Sequence, residues 1–433
     1  MKSKQLRKEQ IARYAADLRN RLVDLRRDIY MHPELSGQEQ RTASIVADNL
    51  FQAGLEVRTG TGGNGVIGLL QGQKEGPVIA WRADMDAFAI QDTLDVPYKS
   101  SVPGVKHVCG HDVHTTIGIG IARVLAFLQD ELAGSIKFIF QPAEETATGA
   151  RAMIQAGALS NPTPEAILGL HTAPLPVGQI GCVPGMILPG IARFEITLKS
   201  KNEYVETLRD AAENCIAALG SLSTLRFPDS KELSRFLHAM ETGDNEALNQ
   251  FILVSCWQES GSMLEQNILQ LRGLVRAASE QLEEHAKLIV HKTVDEIIGE
   301  LPVDYDLQWL VQLSLPPAIN HVPLERQLRP AIASMIGATN TVELRAPFPF
   351  NSEDFSLYQQ HLPGVLYWLG VANHSKGIIG VPHLPNFDVD EECLVVGTKT
   401  MAYLLLHCLN SCIGIHRVML SRLTQNKEDD LWL

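Results

Sequence analysis

The sequence has no run of about 18 consecutive apolar residues, the length at which a helix spans a bilayer, so no membrane-spanning segment is expected. It also lacks the apolar core and small-residue cleavage site of a secretory signal: residues 1–36 are charged throughout and read as an amphipathic helix. A cytoplasmic protein without membrane contact is the expectation. Cysteine is scarce, seven residues in 433, odd in number and scattered, which excludes a disulfide framework and leaves most of them as small buried hydrophobes. Positive charge is in deficit, with 37 lysines and arginines against 50 acidic residues and a formal net charge of −13. Phosphate backbones are bound by basic surfaces, which argues against nucleic acid and for a small-molecule partner. No internal repeat or low-complexity tract is present, and solenoid architectures are thereby excluded.

What is present is ordinary globular material, 45% hydrophobic and 20% charged. The length exceeds what one hydrophobic core usually organises, so two domains, one inserted in the other, are expected. From Pro77 to Leu170, strand-like runs ("PVIAW", "SIKFIF", "EAILGL") alternate with helical stretches ("TIGIGIARVLAFLQDEL", "GARAMIQAGAL"), the pattern of an α/β layer with a largely parallel sheet. After Pro189, "RFEITLK" alternates apolar and polar residues as a half-buried strand does. A helix from about Tyr204 to Leu219, the strands "FILVSCW" and "NILQLRGLVR", a helix from about Ala278 to Ile298 and the strand "DYDLQWLVQL" complete a β-α-β-β-α-β order, which is ferredoxin-like. The segment Arg226 to Gln250 is extra to that scheme and reads as helical. The expected boundaries are 1–189 and 315–433 for the α/β domain and 190–314 for the insert.

Residues that carry chemistry sit where the α/β strands end. Arg82 to Asp86 follows the first strand, Glu144-Glu145 the second and His171 the third. Ligands of open α/β sheets bind beyond the carboxyl ends of the strands, so these residues should share one crevice. Adjacent carboxylates repel without a cation, and Glu144-Glu145 suits a division in which one acid binds metal while the other accepts a proton. In "HVCGHDVH", residues 107–114, Cys109 and His111 stand two apart, so an extended loop would point both the same way. Thiolate and imidazole together suit zinc and similar divalent ions. His383 lies in the proline-bounded loop "VPHLPNFDVDEE". Each residue alone is more often a surface or packing group; their arrival at one sheet edge favours a shared site.

The stretches "LRRDIYMHPELSGQE", "RADMDAFAI", "GVKHVCGHDVHT", "FQPAEE", "LGLH", "NSEDFSLY" and "HLPNFDVDEE" occur in an order and spacing that span nearly the whole chain. Through them the sequence resembles the metal-dependent amidohydrolases of the metallopeptidase family that includes aminoacylases, hippurate hydrolase and the hydrolases of indole-acetyl amino acids. The resemblance implies a zinc-exopeptidase-like α/β catalytic domain with a mostly parallel central sheet, and an inserted ferredoxin-like α+β domain serving as lid and dimerisation surface. It implies two divalent metal ions (zinc, manganese, cobalt or nickel) held by Cys109, His111, Glu145, His171 and His383, with Glu144 as general base. Asp86 and Asp112 fall at positions of carboxylates that orient ligands, and Asp86 joins Glu144 in the catalytic set. Asn267 and Arg276 match lid residues that meet substrate. Glu353 lies in a loop that reads either as part of the pocket or as a helix-capping turn. His107 and His114 are left to packing and hydrogen bonding. The implied reaction is metal-assisted cleavage of the amide bond of an N-acyl or N-aroyl amino acid, or of a related small amide substrate.

One departure from that family stands out. Its insert follows the first strand with Gly-Gly-His-Ala, where this chain has "KSKNEYVETLRD". Loss of one oxyanion donor lowers rates by about a hundred- to a thousandfold. Either Lys201, Asn202 or Tyr204 substitutes, or ordinary hydrolysis is weak. Two other readings therefore stay open: a metal-bearing homologue whose altered lid serves ligand binding or regulation, and an amide-forming biosynthetic enzyme. Retention of Glu144 counts against the first, since a binding protein has no need of a general base beside its metals. The edge and helices of the insert offer an isologous surface for a homodimer, unless residues 231–250 cover it. The tail from Ser411 onward extends past the family's usual end and has no assigned role.

Overall fold

A computed structural model describes residues 2–200, 209, 212–214, 216, 218–220, 230–243, 246–259, 267–299 and 303–411. The chain divides into two units, one made of Met1–Cys182, Asn320–Glu343 and Tyr358–Leu433, the other of Val183–Ile319 and Leu344–Leu357. The first unit begins with helices α1 (Lys2–Asp17), α2 (Arg19–Met31) and α3 (Gln40–Gln52), so the single N-terminal helix expected from the sequence is in fact broken at Leu18. Then come β1 (Glu56–Thr61), β2 (Gly65–Gln71), β3 (Lys74–Asp84), α4 (His111–Phe127), β4 (Ala133–Gln141), α5 (Gly149–Gln155), β5 (Ala166–Pro176) and β6 (Ile180–Cys182). The second unit contributes β7 (Gly185–Leu188), β8 (Ala192–Ser200), β9 (Ile252–Gln258), β10 (Ile268–Ala277) and β11 (Val303–Trp309). After β12 (Ala318–Asn320), the chain supplies β13 (Thr341–Glu343) and β14 (Gly364–Ala372).

The first unit is built on an eight-stranded sheet in the order β1-β2-β4-β3-β5-β14-β6-β13. Its centre is parallel: β3 pairs in parallel with β4 and β5, and β5 with β14. The reason is visible in the residues, because β5 is buried at all but its last position and β14 along its whole length. Such continuous burial requires a layer on each face, which crossover helices provide. Trp81, Phe138, Phe140 and Tyr367 anchor the core, and Ile117, Ile121 and Leu125 bring α4 onto it. Each fully buried apolar side chain of this size contributes about 1.5–3 kcal/mol. The helix Glu392–Ser411 packs against α4 and β3. By length and composition its residues 392–410 could cross a membrane, a feature the sequence reading did not find, but 67% of the most apolar window is buried in this core. The antiparallel β1 and β2, which add to the sheet beyond β4, were also absent from the sequence reading.

In the second unit four antiparallel strands take the order β11-β8-β10-β9, as a ferredoxin-like domain does. Alternation explains the layer: Phe194, Ile196 and Leu198 of β8 and Leu269, Leu271 and Val275 of β10 share a core with Ala286, Val290, Val294 and Ile298. Those four lie at intervals of four along the helix Glu280–Ile298, so one helical stripe covers one sheet face. Ser279 caps that helix by accepting from the Leu282 amide. Gly273 is needed where the Phe194 ring crosses the strand, since a Cβ there would lie 2.1 Å from the ring. The extra segment holds a helix at Ser230–Thr242 and a short one at Glu246–Asn249. Much of the helix expected from Tyr204 to Leu219, with Lys201, Asn202 and Tyr204 themselves, lies outside the described residues, as does the tail beyond Ser411.

Candidate metal centre

The parallel register sets the site. Asp84 stands opposite Gln141, and Arg82 opposite Gly169, so His171, two residues beyond Gly169, reaches the level at which β3 and β4 end. His171 therefore does not follow its strand, as expected, but lies inside β5, which overruns its neighbours. Nor is His111 part of an extended loop; it is the first residue of α4. The turn between Cys109 and His111 is made by Gly110 in a left-handed conformation (φ 85°), and a Cβ there would fall 2.5 Å from Thr172 Cγ2. Only glycine meets both demands. The carbonyl of Cys109 accepts from the Thr172 hydroxyl at 2.7 Å, which ties this turn to β5.

Around Cys109 the candidate donors converge. Its Sγ lies 3.3 Å from His171 Nε2 and 3.3 Å from His383 Nε2. Donor atoms of Cys109, His111 and His171 lie within 4.8 Å of one another, as do those of Cys109, Glu145 and His383, and those of His111, Glu144 and Glu145. Cys109, His111, Glu144 and His171 are buried, while His383 keeps 40% of its side chain exposed.

Ring orientation points the free nitrogens inward. His111 Nδ1 donates to the Asp86 carbonyl (2.9 Å) and its carboxylate (3.1 Å), so Nε2 carries the lone pair. That Nε2 is buried without a hydrogen-bond partner among the described residues, 3.8 Å from carboxylate oxygens of Asp84 and of Glu144. His171 Nδ1 likewise donates to the Thr172 carbonyl at 2.8 Å, leaving Nε2 for Cys109. An orphaned imidazole nitrogen amid a thiol, two more imidazoles and carboxylates is a donor set that fits divalent metal, with the carboxylate behind His111 completing the arrangement usual at such sites.

The turn bearing the two glutamates is pinned through its backbone. Asp86 accepts from the Glu145 amide (3.0 Å) and from Ser36 Oγ (2.6 Å). The buried Glu39 accepts from the Ala143 amide at 2.8 Å and so holds that residue at φ 53°. The main chain that carries Glu144 and Glu145 is thus fixed at Ala143 and at Glu145.

Electrostatics among these groups favours a cation. Burial raises the Cys109 thiol well above its ordinary pKa, and Glu145 adds to the effect. Burial, then His114, drives His171 well below the imidazole range, whereas for His111 burial is outweighed by Asp84 and Asp86, which raise it. A coordinated divalent ion would reverse the cost of the thiolate and would bind the neutral imidazole.

The remaining sequence candidates make contacts of their own. The Asp112 carboxylate accepts from Arg26 Nε at 2.6 Å, an ion pair with no exposure on either side. Arg276 and Asn267 belong to the second unit, where Arg276 Nε donates to Ser352 Oγ (3.0 Å) and the Asn267 carbonyl accepts from the Ser200 amide (3.1 Å). Burial lowers the pKa of Arg276 to about 10, with Arg193 adding to the shift. Glu353, also in that unit, accepts from the Phe355 amide at 3.0 Å and caps the short helix Phe355–Gln359. His114 hydrogen-bonds through both nitrogens, donating to Asp84 at 2.6 Å and accepting from the Thr172 amide at 2.9 Å. His107 is buried, as a packing role implies, with neither nitrogen hydrogen-bonded among the described residues. Asp84, expected in the crevice with the other strand-end residues, forms a further donor group with His111 and His114, of which His114 was left to packing and hydrogen bonding. The signal was there in the two-residue step from Asp84 to Asp86 and the three-residue step from His111 to His114 along α4.

Comparison with known proteins identifies the family. The family model for peptidase family M20/M25/M40 matches residues 80–407. The N-acetylcysteine deacetylase of Bacillus subtilis is 31% identical over 398 residues, covering 90% of this chain and 97% of its own. An IAA-amino acid hydrolase ILR1-like protein of Arabidopsis thaliana is 31% identical over 401 residues, covering 88% and 85%. Among solved structures, the Bacillus subtilis YXEP protein, described as a dinuclear metal-binding peptidase of the M20 family, superposes with a TM-score of 0.70 at 30% identity, covering 92% of this chain and 99% of its own. With three-quarters of its length inside the family model and relatives matched from end to end, this chain belongs to peptidase family M20/M25/M40.

Proposed function

We infer that the protein is a metal-dependent amidohydrolase that cleaves the amide bond of N-acyl or N-aroyl amino acids or similar small amides. The observation that carries this reading is the convergence of Cys109, His111, Glu145, His171 and His383 with a second buried glutamate, Glu144, beside them. The first five would hold two divalent ions, and such ions, when bound, acidify water and polarise the scissile carbonyl. Glu144 takes a proton from the attacking water at its carboxylate and returns it to the departing amine. Asp86 keeps His111 in the tautomer whose Nε2 faces the centre, and the pinned 143–145 turn keeps Glu144 free of competing rearrangement. Deacylation by relatives named for N-acetylcysteine and for IAA-amino acids supports the substrate class.

Cytoplasmic location and pairing through the insert belong to the same reading. Free thiols at Cys109, Cys182, Cys256, Cys393 and Cys408 suit a reducing compartment. The edge strand β9 exposes Trp257, and the helix Glu280–Ile298 exposes Leu288 at 69%, an apolar surface suited to a second copy.

The test is release of amino acid from a panel including N-acetylcysteine, hippurate and indole-acetyl amino acids, with wild type beside Glu144→Gln. Wild type should cleave at least one, and the variant should lose about 10²- to 10⁴-fold in kcat while retaining its metal. Metal binding without cleavage of any amide would instead favour the ligand-binding or amide-forming alternatives raised by the missing lid histidine.

A further inference from the structure

One buried cation near the centre has no part in the chemistry above. Lys106 is fully buried, and among the described residues its ammonium lies 3.1 Å from an Asp92 carboxylate oxygen, 2.8 Å from the Pro385 carbonyl and 5.9 Å from the Tyr30 ring centroid. Burying a lysine is costly unless it is paired and hydrogen-bonded, so this placement demands a reason. Asp92 is itself fixed, accepting from the amides of Leu94 and Ser100, each at 3.0 Å. The main chain of Lys106 exchanges two hydrogen bonds with Phe88, both 3.0 Å. The ammonium therefore projects from a rigid base toward a loop 279 residues away.

That loop carries His383. It has no regular structure at this point, and His383 sits in the left-handed region (φ 64°), where a residue with a Cβ stays only if its surroundings hold it. Three contacts do so from the same short bridge. The His383 amide donates to the Val108 carbonyl at 2.8 Å, the His383 ring stacks on Phe88 at 5.6 Å, and Lys106 grips Pro385 two residues on. Thr93 Oγ1 adds a second donor to the same Pro385 carbonyl at 2.9 Å.

We propose that Lys106 is a positioning residue for the metal centre: anchored on Asp92, its ammonium holds the Pro385 carbonyl and thereby fixes the His383 imidazole opposite Cys109. This rests on the reading that Cys109 and His383 are metal ligands. The other candidate donors are placed by β5, by the start of α4 and by turns pinned by Thr172, Asp86 and Glu39.

The experiment titrates chelator-stripped, full-length protein with Mn²⁺ by calorimetry. Wild type should show two sites, and His383→Ala should lose one. Lys106→Met should weaken that same site about 10- to 100-fold, the usual cost of removing a group that orients a ligand, and Lys106→Arg should recover part of it. The double variant Asp92→Asn/Lys106→Met leaves no unpaired buried charge, and exposed Thr93→Val removes only the second donor; if the single variant does not fold, these two carry the test. A purely structural lysine would lower the melting temperature while leaving both affinities of the folded protein unchanged. That result, with His383→Ala losing a site, overturns the proposal. If wild type lacks two sites, or His383→Ala keeps both, the metal-centre reading fails and the proposal falls with it.

Discussion

The donors gathered at the sheet edge are held in two different ways. Cys109, His111, Glu144, Glu145 and His171 stand on, or directly beside, strand ends and the first turn of α4, and all but Glu145 are buried residues. His383 comes from an irregular loop, keeps 40% of its side chain exposed and adopts a backbone conformation rare outside glycine. Strand β5, the start of α4 and turns pinned by Thr172, Asp86 and Glu39 position the first group as part of folding the core. The loop histidine depends on side-chain and carbonyl contacts that add little to the core, so its placement can be altered without dismantling the domain. Regular elements thus fix one part of the centre, and tertiary clamps adjust the other.

The sharpest way to break this contrast is to delete one donor of each kind. His111 takes part in three donor groups, so His111→Ala should abolish activity and tight binding of both metals. His383→Ala should leave about one metal per chain and a folded protein. Metal analysis after exhaustive dialysis separates the two, and equal loss in both variants would remove the distinction. A smaller effect is expected behind the strand-borne group, where Asp86→Asn weakens the hold on His111, the Glu145 amide and Ser36 together. Metal affinity should fall about 10- to 100-fold, measured by competition with a chromophoric chelator, while melting of the metal-free protein changes little. Unchanged affinity would mean that the strand ends alone suffice to set His111.

The same contrast explains what the sequence disclosed. The central strands were legible because parallel strands buried on both faces read as apolar runs, and the place of Glu144-Glu145 was legible because the pair follows one of those runs. The insert was legible from alternation in "RFEITLK" and "NILQLRGLVR". β1 and β2 were missed because they are short and interrupted by glycine, with a turn at residues 62–64 that breaks the pattern. His171 was misplaced relative to its strand because the sequence carries no mark of where a strand overruns its neighbours. The ion pair of Asp112 was not legible for a related reason: its partner Arg26 lies 86 residues away on α2, and no local pattern joins them. Lys106 and Pro385 are farther apart still. Side-chain clamps of this kind have no periodicity to read.

The most direct measurement is anomalous diffraction from crystals of the full-length protein grown with Mn²⁺. Two peaks enclosed by Cys109, His111, Glu145, His171 and His383 are expected. A single peak, or peaks away from those side chains, would contradict a two-metal centre at this sheet edge.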